Sequence, residues 1–239
     1  MPDLPVYDCP RTPTAPALDG TMTDPAWELA PWTTDFVDIS GDGPEPRFRT
    51  RAKLMYDEEF LYVGGLLEEP HVWSTMSEKN TKLFEENNFE LFLDPDGDGL
   101  NYYEFEINPL GTIWELTLPK PYVDGGVPVD PTNLPGLRTA LHIDGTLNDP
   151  SDTDTGWSVE LAVPWADLAP YNENSTANEG RATPPNPGDE WRMNLMRCEW
   201  PHEVVDGAYV KGSELNFWVW SPQYVVDMHR PDRWGILRF

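Results

Sequence analysis

Along most of this chain apolar and polar residues alternate in short runs, and prolines and glycines, 26 and 18 of them, punctuate the runs every ten residues or so. That spacing predicts an all-β protein, a β-sandwich of two antiparallel sheets with a jelly-roll-like plan. The clearest strands are RTRAKLMYD (49–57), FLYVGGLLE (60–68), NNFELFLD (87–94), NYYEFEIN (101–108), TIWELTL (112–118), GWSVELAVP (156–164) and EWRMNLMRCEW (190–200). Helical periodicity is scarce, with one turn expected in AWELA (26–30) and one in PWADLAP (164–170). The irregular stretches 119–136 and 170–189 read as loops. The second is a proline-rich surface excursion, because strand patterning resumes directly after it. No internal repeat is visible, so residues 1–239 are expected to form one domain, with 1–17 as an N-terminal extension.

Successive strand residues point to opposite faces, so each run also predicts its core side. In NYYEFEIN the apolar face is Tyr103, Phe105 and Ile107, leaving Tyr102, Glu104, Glu106 and Asn108 opposite. In NNFELFLD it is Phe89, Leu91 and Leu93, with Glu90 and Phe92 opposite. Two strands thus present acidic outer faces, which form either a plain solvated surface or the polar floor of a ligand site.

Charge narrows the partners. Sixteen Lys and Arg against 42 Asp and Glu give a net charge of -26, which repels phosphate backbones and anionic membrane surfaces and disfavours sulfated or uronate-rich polymers. Neutral ligands or cations are the expected partners. No apolar run approaches the roughly 20 residues a membrane-spanning helix needs. The opening MPDLPVYDCP is too polar for a signal peptide. The expectation is a mature secreted, periplasmic or cell-surface monomer, with a cytoplasmic chain as the other option. Cys9 and Cys198 are too few for a disulfide framework, and form either one bridge or two buried thiols.

Four stretches suggest chemistry. DPDGDG (94–99) sets Asp94, Asp96 and Asp98 at alternate positions with Gly99 for a sharp turn, a donor spacing that suits Ca²⁺. It departs from the helix-loop-helix calcium pattern, where a Glu is wanted at the place of Phe105, and an Asp/Gly-rich hairpin turn explains it equally well. Glu104 and Glu106, on one face about 7 Å apart, could serve a glycan-processing enzyme together with Glu90. However, 42 acidic residues make such pairs common by chance. The histidines at 71, 142, 202 and 229 lack zinc spacing. Met193, Met196, Met228 and His229 could hold a haem. The aromatics weigh more: WVWSPQYVVDMHRPDRWG (218–235) crowds three tryptophans into a polar segment, and flat rings beside Glu, Asn and Arg suit the apolar faces and hydroxyls of sugars. Trp27, Trp157, Trp165 and Trp191 are assigned to the core.

The blocks LDGTMTDPAWELAPW (18–32), KLMYDEEFLYVGGLLEEP (53–70), NNFELFLDPDGDGLNYYEFEINPLGT (87–112), WSVELAVPW (157–165), GDEWRMNLMR (188–197) and WSPQ…HRPDRWGILRF (220–239) resemble, in order and over almost the whole chain, family 9 carbohydrate-binding modules, specifically the bacterial family-9-like group. The resemblance implies a two-sheet sandwich, often with calcium, that grips the end of a saccharide chain between two aromatic rings without catalysis. Phe84 matches one ring position and Trp220 the other; Glu90 matches the sugar-binding acid and Glu106 stands where the family has an arginine. Asn108 joins the expected polar contacts. Arg197, with Glu199 and Trp200 on the subgroup-specific RCEWPHEVVDG (197–207), is expected to replace the missing arginine at the pocket rim.

Overall fold

In the computed structural model of the chain, residues 3–173 and 182–239 are described; much of the expected excursion at 170–189 therefore lies outside the described residues. The strands are β1 (Val6–Asp8), β2 (Val37–Asp38), β3 (Thr50–Tyr56), β4 (Phe60–Glu68), β5 (Asn88–Asp94), β6 (Tyr102–Ile107), β7 (Ile113–Leu118), β8 (Arg138–Asp144), β9 (Gly156–Pro164), β10 (Glu190–Glu199), β11 (His202–Val205), β12 (Ala208–Lys211), β13 (Asn216–Val219) and β14 (Gly235–Arg238), with one helix, α1 (Trp165–Glu173). The seven strands expected from alternation are all present, β4 and β9 with the expected bounds. PWADLAP extends into α1, and AWELA becomes a single 3₁₀ turn, Pro25–Glu28, whose start is capped by the Asp24 carboxylate accepting from Ala26 N.

A larger sheet runs β1-β14-β10-β5-β6-β7, and a smaller one β3-β4-β9-β8. β10 is the organiser of the larger sheet. One of its edges pairs with β5, while the other is shared by β14 over residues 190–193 and by β13 over residues 196–199, with β2 continuing from β13. Pairing is antiparallel except that β1 joins β14 in parallel. Residues 6–8, expected to lie in an extension, are thus an edge strand.

The alternation read from the sequence sets the layers. Phe89, Leu91, Leu93, Tyr103, Phe105, Ile107 and Leu195 of the larger sheet meet Ala52, Leu54, Val63, Val159 and Leu161 of the smaller one in the central core. The sheets approach so closely that a Cβ on Gly65 would lie 2.9 Å from the Phe89 ring, which is why β4 carries glycine there. Trp157, Trp165 and Trp191 belong to this core, and Trp27 to a smaller cluster on the outer side of the smaller sheet. The outer face of the larger sheet is not a solvated surface. A second apolar layer covers it, in which Leu83, Phe92, Trp114, Met196, Val219 and Trp234 pack together. Loops from 75–86, 119–131 and 220–234 supply much of that cover. Cys9 and Cys198 are both buried and unbridged.

Candidate functional site

The loops leave a cleft over the outer face of the larger sheet, with a volume of about 480 Å³. That size lies within the roughly 300–1,000 Å³ of small-molecule sites. Strand register builds its floor. Met196, Glu90, Glu106 and Trp114 form one row of directly paired residues across β10, β5, β6 and β7. Phe92, Glu104 and Leu116 continue the next row. The walls come from the loops: Phe84 from one, Tyr122 and Asp130 from another, Asp227, Met228 and His229 from a third, with Lys82 exposed at the rim.

Like charges directly opposite on neighbouring strands repel, yet Glu90 faces Glu106, and Glu104 lies beside them. Carboxylate oxygens of the three lie within 4.8 Å of one another. All three are buried, at 1%, 4% and 1% exposure for Glu90, Glu104 and Glu106. Asn88 Nδ2 donates to Glu90 Oε1 at 2.8 Å and to Glu106 Oε2 at 2.9 Å, and Cys198 Sγ to Glu90 Oε1 at 3.3 Å. Oε2 of Glu104 has no hydrogen-bond partner. Burial pushes the Glu90 carboxyl up to about 7; burial and then the charge of Glu90 push Glu104 and Glu106 well up. His229 Nε2 is 4.0 Å from Glu104 Oε2, but burial lowers the imidazole to about 4. With one group pushed up and the other down, the contact is between neutral partners rather than an ion pair. Among the described residues no Lys or Arg forms a salt bridge with these three acids.

The aromatic wall is fixed from behind. Asp130 accepts from Trp114 Nε1 at 2.9 Å, and the Phe84 and Trp114 rings lie 6.1 Å apart, tilted by 32°. Trp200 Nε1 donates to the Phe84 carbonyl at 2.9 Å, and Lys211, 4.0 Å above the Trp200 ring, donates to the Glu85 carbonyl. The hairpin β11–β12 and its flank therefore hold the Phe84 loop.

Of the residues expected at the site, Phe84, Glu90 and Glu106 come together here, and Asn108, Arg197 and Trp220 do not border the cleft. Trp220 is 4% exposed in the central core, edge-on to Tyr7 at 6.5 Å. The reason is visible in NFWVW: alternation sends Trp218 and Trp220 inward and leaves Phe217 and Val219 on the outer side, where Phe217 lines the cleft. Arg197, on the inward set of β10, is held by Glu69 at 2.7 Å and Glu199 at 2.6 Å. Asn108 donates to the Met76 carbonyl and to Glu86 and accepts from Leu110 N and Thr112 N, so it shapes the loop ahead of Phe84. Trp114, Tyr122, Asp130 and Asp227 were missed. Trp114 was legible as the outward residue of TIWELTL; the loop residues carried no signal.

Asp94, Asp96 and Asp98 do converge, with oxygens within 4.8 Å. Asp94 and Asp96 are buried, and Asp94 accepts from Gly97 N at 3.1 Å and Gly99 N at 2.9 Å. Burial, then the adjoining Asp96, pushes Asp94 up to about 8. The alternative chemistries gain nothing from the arrangement. Acid–base catalysis separates the pKa values of its partners, whereas all three glutamates move the same way. Met193 sits in the central core, Met196 in the cleft floor, and Met228 and His229 in its wall. No helix among the described residues is long and apolar enough to cross a membrane.

The profile of the family described as "Carbohydrate family 9 binding domain-like" matches residues 18–183. Exoglucanase XynX of Acetivibrio thermocellus is 24% identical over 157 residues, which are 66% of this chain and 12% of that protein. The chain thus spans about an eighth of that relative's length. A family 9 carbohydrate-binding module from Caldicellulosiruptor kristjanssonii, solved in complex with cellotriose, superposes with a TM-score of 0.61 at 14% identity, covering 98% of this chain and 93% of that one. The same organism's module solved with glucose gives 0.60 at 14% identity, covering 98% and 95%. At that identity these two bear on the fold.

Proposed function

The chain belongs to the carbohydrate family 9 binding domain-like family, and from that membership and the cleft we propose that it is a non-catalytic module that binds a saccharide over the outer face of the larger sheet. The observation that carries this reading is the cleft itself: ring faces at Phe84 and Trp114 above a floor of Glu90, Glu104 and Glu106. Sugars need apolar planes for their C–H faces and polar acceptors for their hydroxyls, and the cleft supplies both within one sugar-sized volume. The pairing of rings differs from the clamp expected from the sequence, with Trp114 where Trp220 was expected. The C. kristjanssonii complexes with cellotriose and with glucose support a saccharide as the ligand. A polysaccharide partner would place the chain outside the cell.

Calcium belongs to the proposal as a structural ion at the turn between β5 and β6. Asp94, Asp96 and Asp98 offer an all-oxygen donor set of the kind a hard cation takes, and two buried carboxylates this close are costly without a positive partner. Held there, the ion would brace the two strands that carry the cleft floor.

Isothermal titration with mono- and oligosaccharides tests the reading. Saturable binding is expected, weakened about tenfold or more in Phe84→Ala, whose half-exposed ring can be lost without unfolding. No heat from any sugar, neutral or charged, from a folded protein would overturn it.

A further inference from the structure

A sugar cleft for a neutral ligand has no need of three buried acids on one spot. Glu90, Glu104 and Glu106 bring oxygens within 4.8 Å of one another, and the donors they receive, from Asn88 and Cys198, are neutral. Oε2 of Glu104, 4.0 Å from His229 Nε2, is left without any hydrogen-bond partner although the residue is 4% exposed. A buried acceptor with nothing to accept costs folding free energy, so its retention at the floor of an open cleft marks a place where a ligand donor belongs. Three such acids stay protonated while the cleft is empty and can become carboxylates when a cation arrives.

The surroundings decide which cation. A hard divalent ion would take about six to eight oxygens; beyond the acids the floor is Phe92, Trp114 and Met196, which offer none, and further oxygens stand only in the walls, on Tyr122, Asp130 and Asp227. An ammonium group has three N–H donors and no acceptor, a match for three carboxylates, and it is attracted to aromatic ring faces as a metal aquo ion is not. The chain's charge of -26 also raises the local concentration of cations at every approach.

We propose that the cleft selects a sugar bearing a free, protonated amine, with the ammonium seated on Glu90, Glu104 and Glu106 and the ring against Phe84 and Trp114. This deepens the saccharide reading and rests on it. The amine could belong to a free monosaccharide or to the end of an amino-polysaccharide, and both present the same group to the floor.

The test is isothermal titration near neutral pH, where the acids can give up their protons to solvent as the ammonium binds, with glucosamine, its oligomers, and the N-acetylated and glucose counterparts of equal length. The free-amine ligands are expected to bind about tenfold or more tightly than their counterparts. Glu104→Gln, of equal size, should bring that ratio towards one. A gain on going from monomer to oligomer places the target at a polymer end; none places it at a free sugar. Equal or tighter binding of neutral or N-acetylated sugars would overturn the proposal while leaving the saccharide reading intact. Silence from every sugar would overturn both. A calcium-dependent fluorescence change abolished by Glu104→Gln, with no preference for amines, would make the cluster a metal site and end the proposal.

Discussion

Arg197 uses all five of its N–H donors inside the protein. Nε and Nη2 go to Glu199, Nη2 also to Glu69 at 2.7 Å, and Nη1 to Thr50 and the Glu68 carbonyl, while the guanidinium lies 5.1 Å from the Trp218 ring. One guanidinium serves two buried acids, and burial together with Glu199 pushes Glu69 up to about 8. Removing one member of a buried pair strands the other, at a cost of about 3–5 kcal/mol. Arg197→Ala is therefore expected to lose about that much stability in urea unfolding, and to bind saccharide normally in whatever fraction remains folded. A stable variant that no longer bound sugar would return Arg197 to the site. The sequence placed it at the pocket because it neighbours Glu199 and Trp200 in a polar segment; its position on the inward set of β10 was legible from alternation, but the apolar rule alone gives no reason to send an arginine inward.

At the scale of elements, the strands with strong alternation were legible to within a residue or two, because burial of one face imposes period two on the sequence. β8 escaped because RTALHID is half exposed and β1, β2 and β14 because they are short. β13 was hidden by the tryptophans that made its neighbourhood look like a ligand platform. The turn joining β5 to β6 carries a prediction of its own. If Asp94, Asp96 and Asp98 hold calcium, free ion at about a hundredfold over its dissociation constant adds roughly 2.7 kcal/mol, or about 5–10 °C in melting temperature for a chain of this size. EDTA should reverse the gain and Asp96→Asn should remove most of it. Melting curves that coincide with and without calcium would reduce the motif to a hairpin turn held by its own backbone N–H groups.

For the molecule as a whole, the buried acids set the response to pH. Glu90 is pushed up to about 7 and Glu69 to about 8, with Glu104 and Glu106 raised as well. A carboxyl with a raised folded-state pKa binds more protons in the native than in the unfolded chain, so stability falls as pH rises. Their contribution is fully present below the ordinary carboxylate value, about 4.5, and is lost as pH climbs through 7 to 8. Thermal unfolding of the ligand-free protein in EDTA is expected to show a melting temperature that declines from pH 5 to pH 8, with a shallower decline in Glu90→Gln. A melting temperature that rose across that window would mean these acids are charged and compensated in the native state. A bound ammonium or metal should flatten the same decline.

Local pattern was enough to determine the all-β class, the core face of each strong strand and the acids beneath the cleft, because a side chain's direction on a strand follows from its parity and its burial from its neighbours two residues away. Glu90 and Glu106 were within reach for that reason, while Phe84, in a 3₁₀ turn, was reached through the family resemblance. The cover over Glu104, the meeting of Trp114 with Phe84, and the placing of Asn108 away from the cleft were decided only by tertiary structure. They depend on which loops fold back over the outer face, and on which edge of β10 receives β13. Those choices arise from packing between separate segments, some near in the chain, as Phe84 and Trp114 are, and some far, as Tyr7 and Trp220 are, and no periodicity within either segment can record its partner.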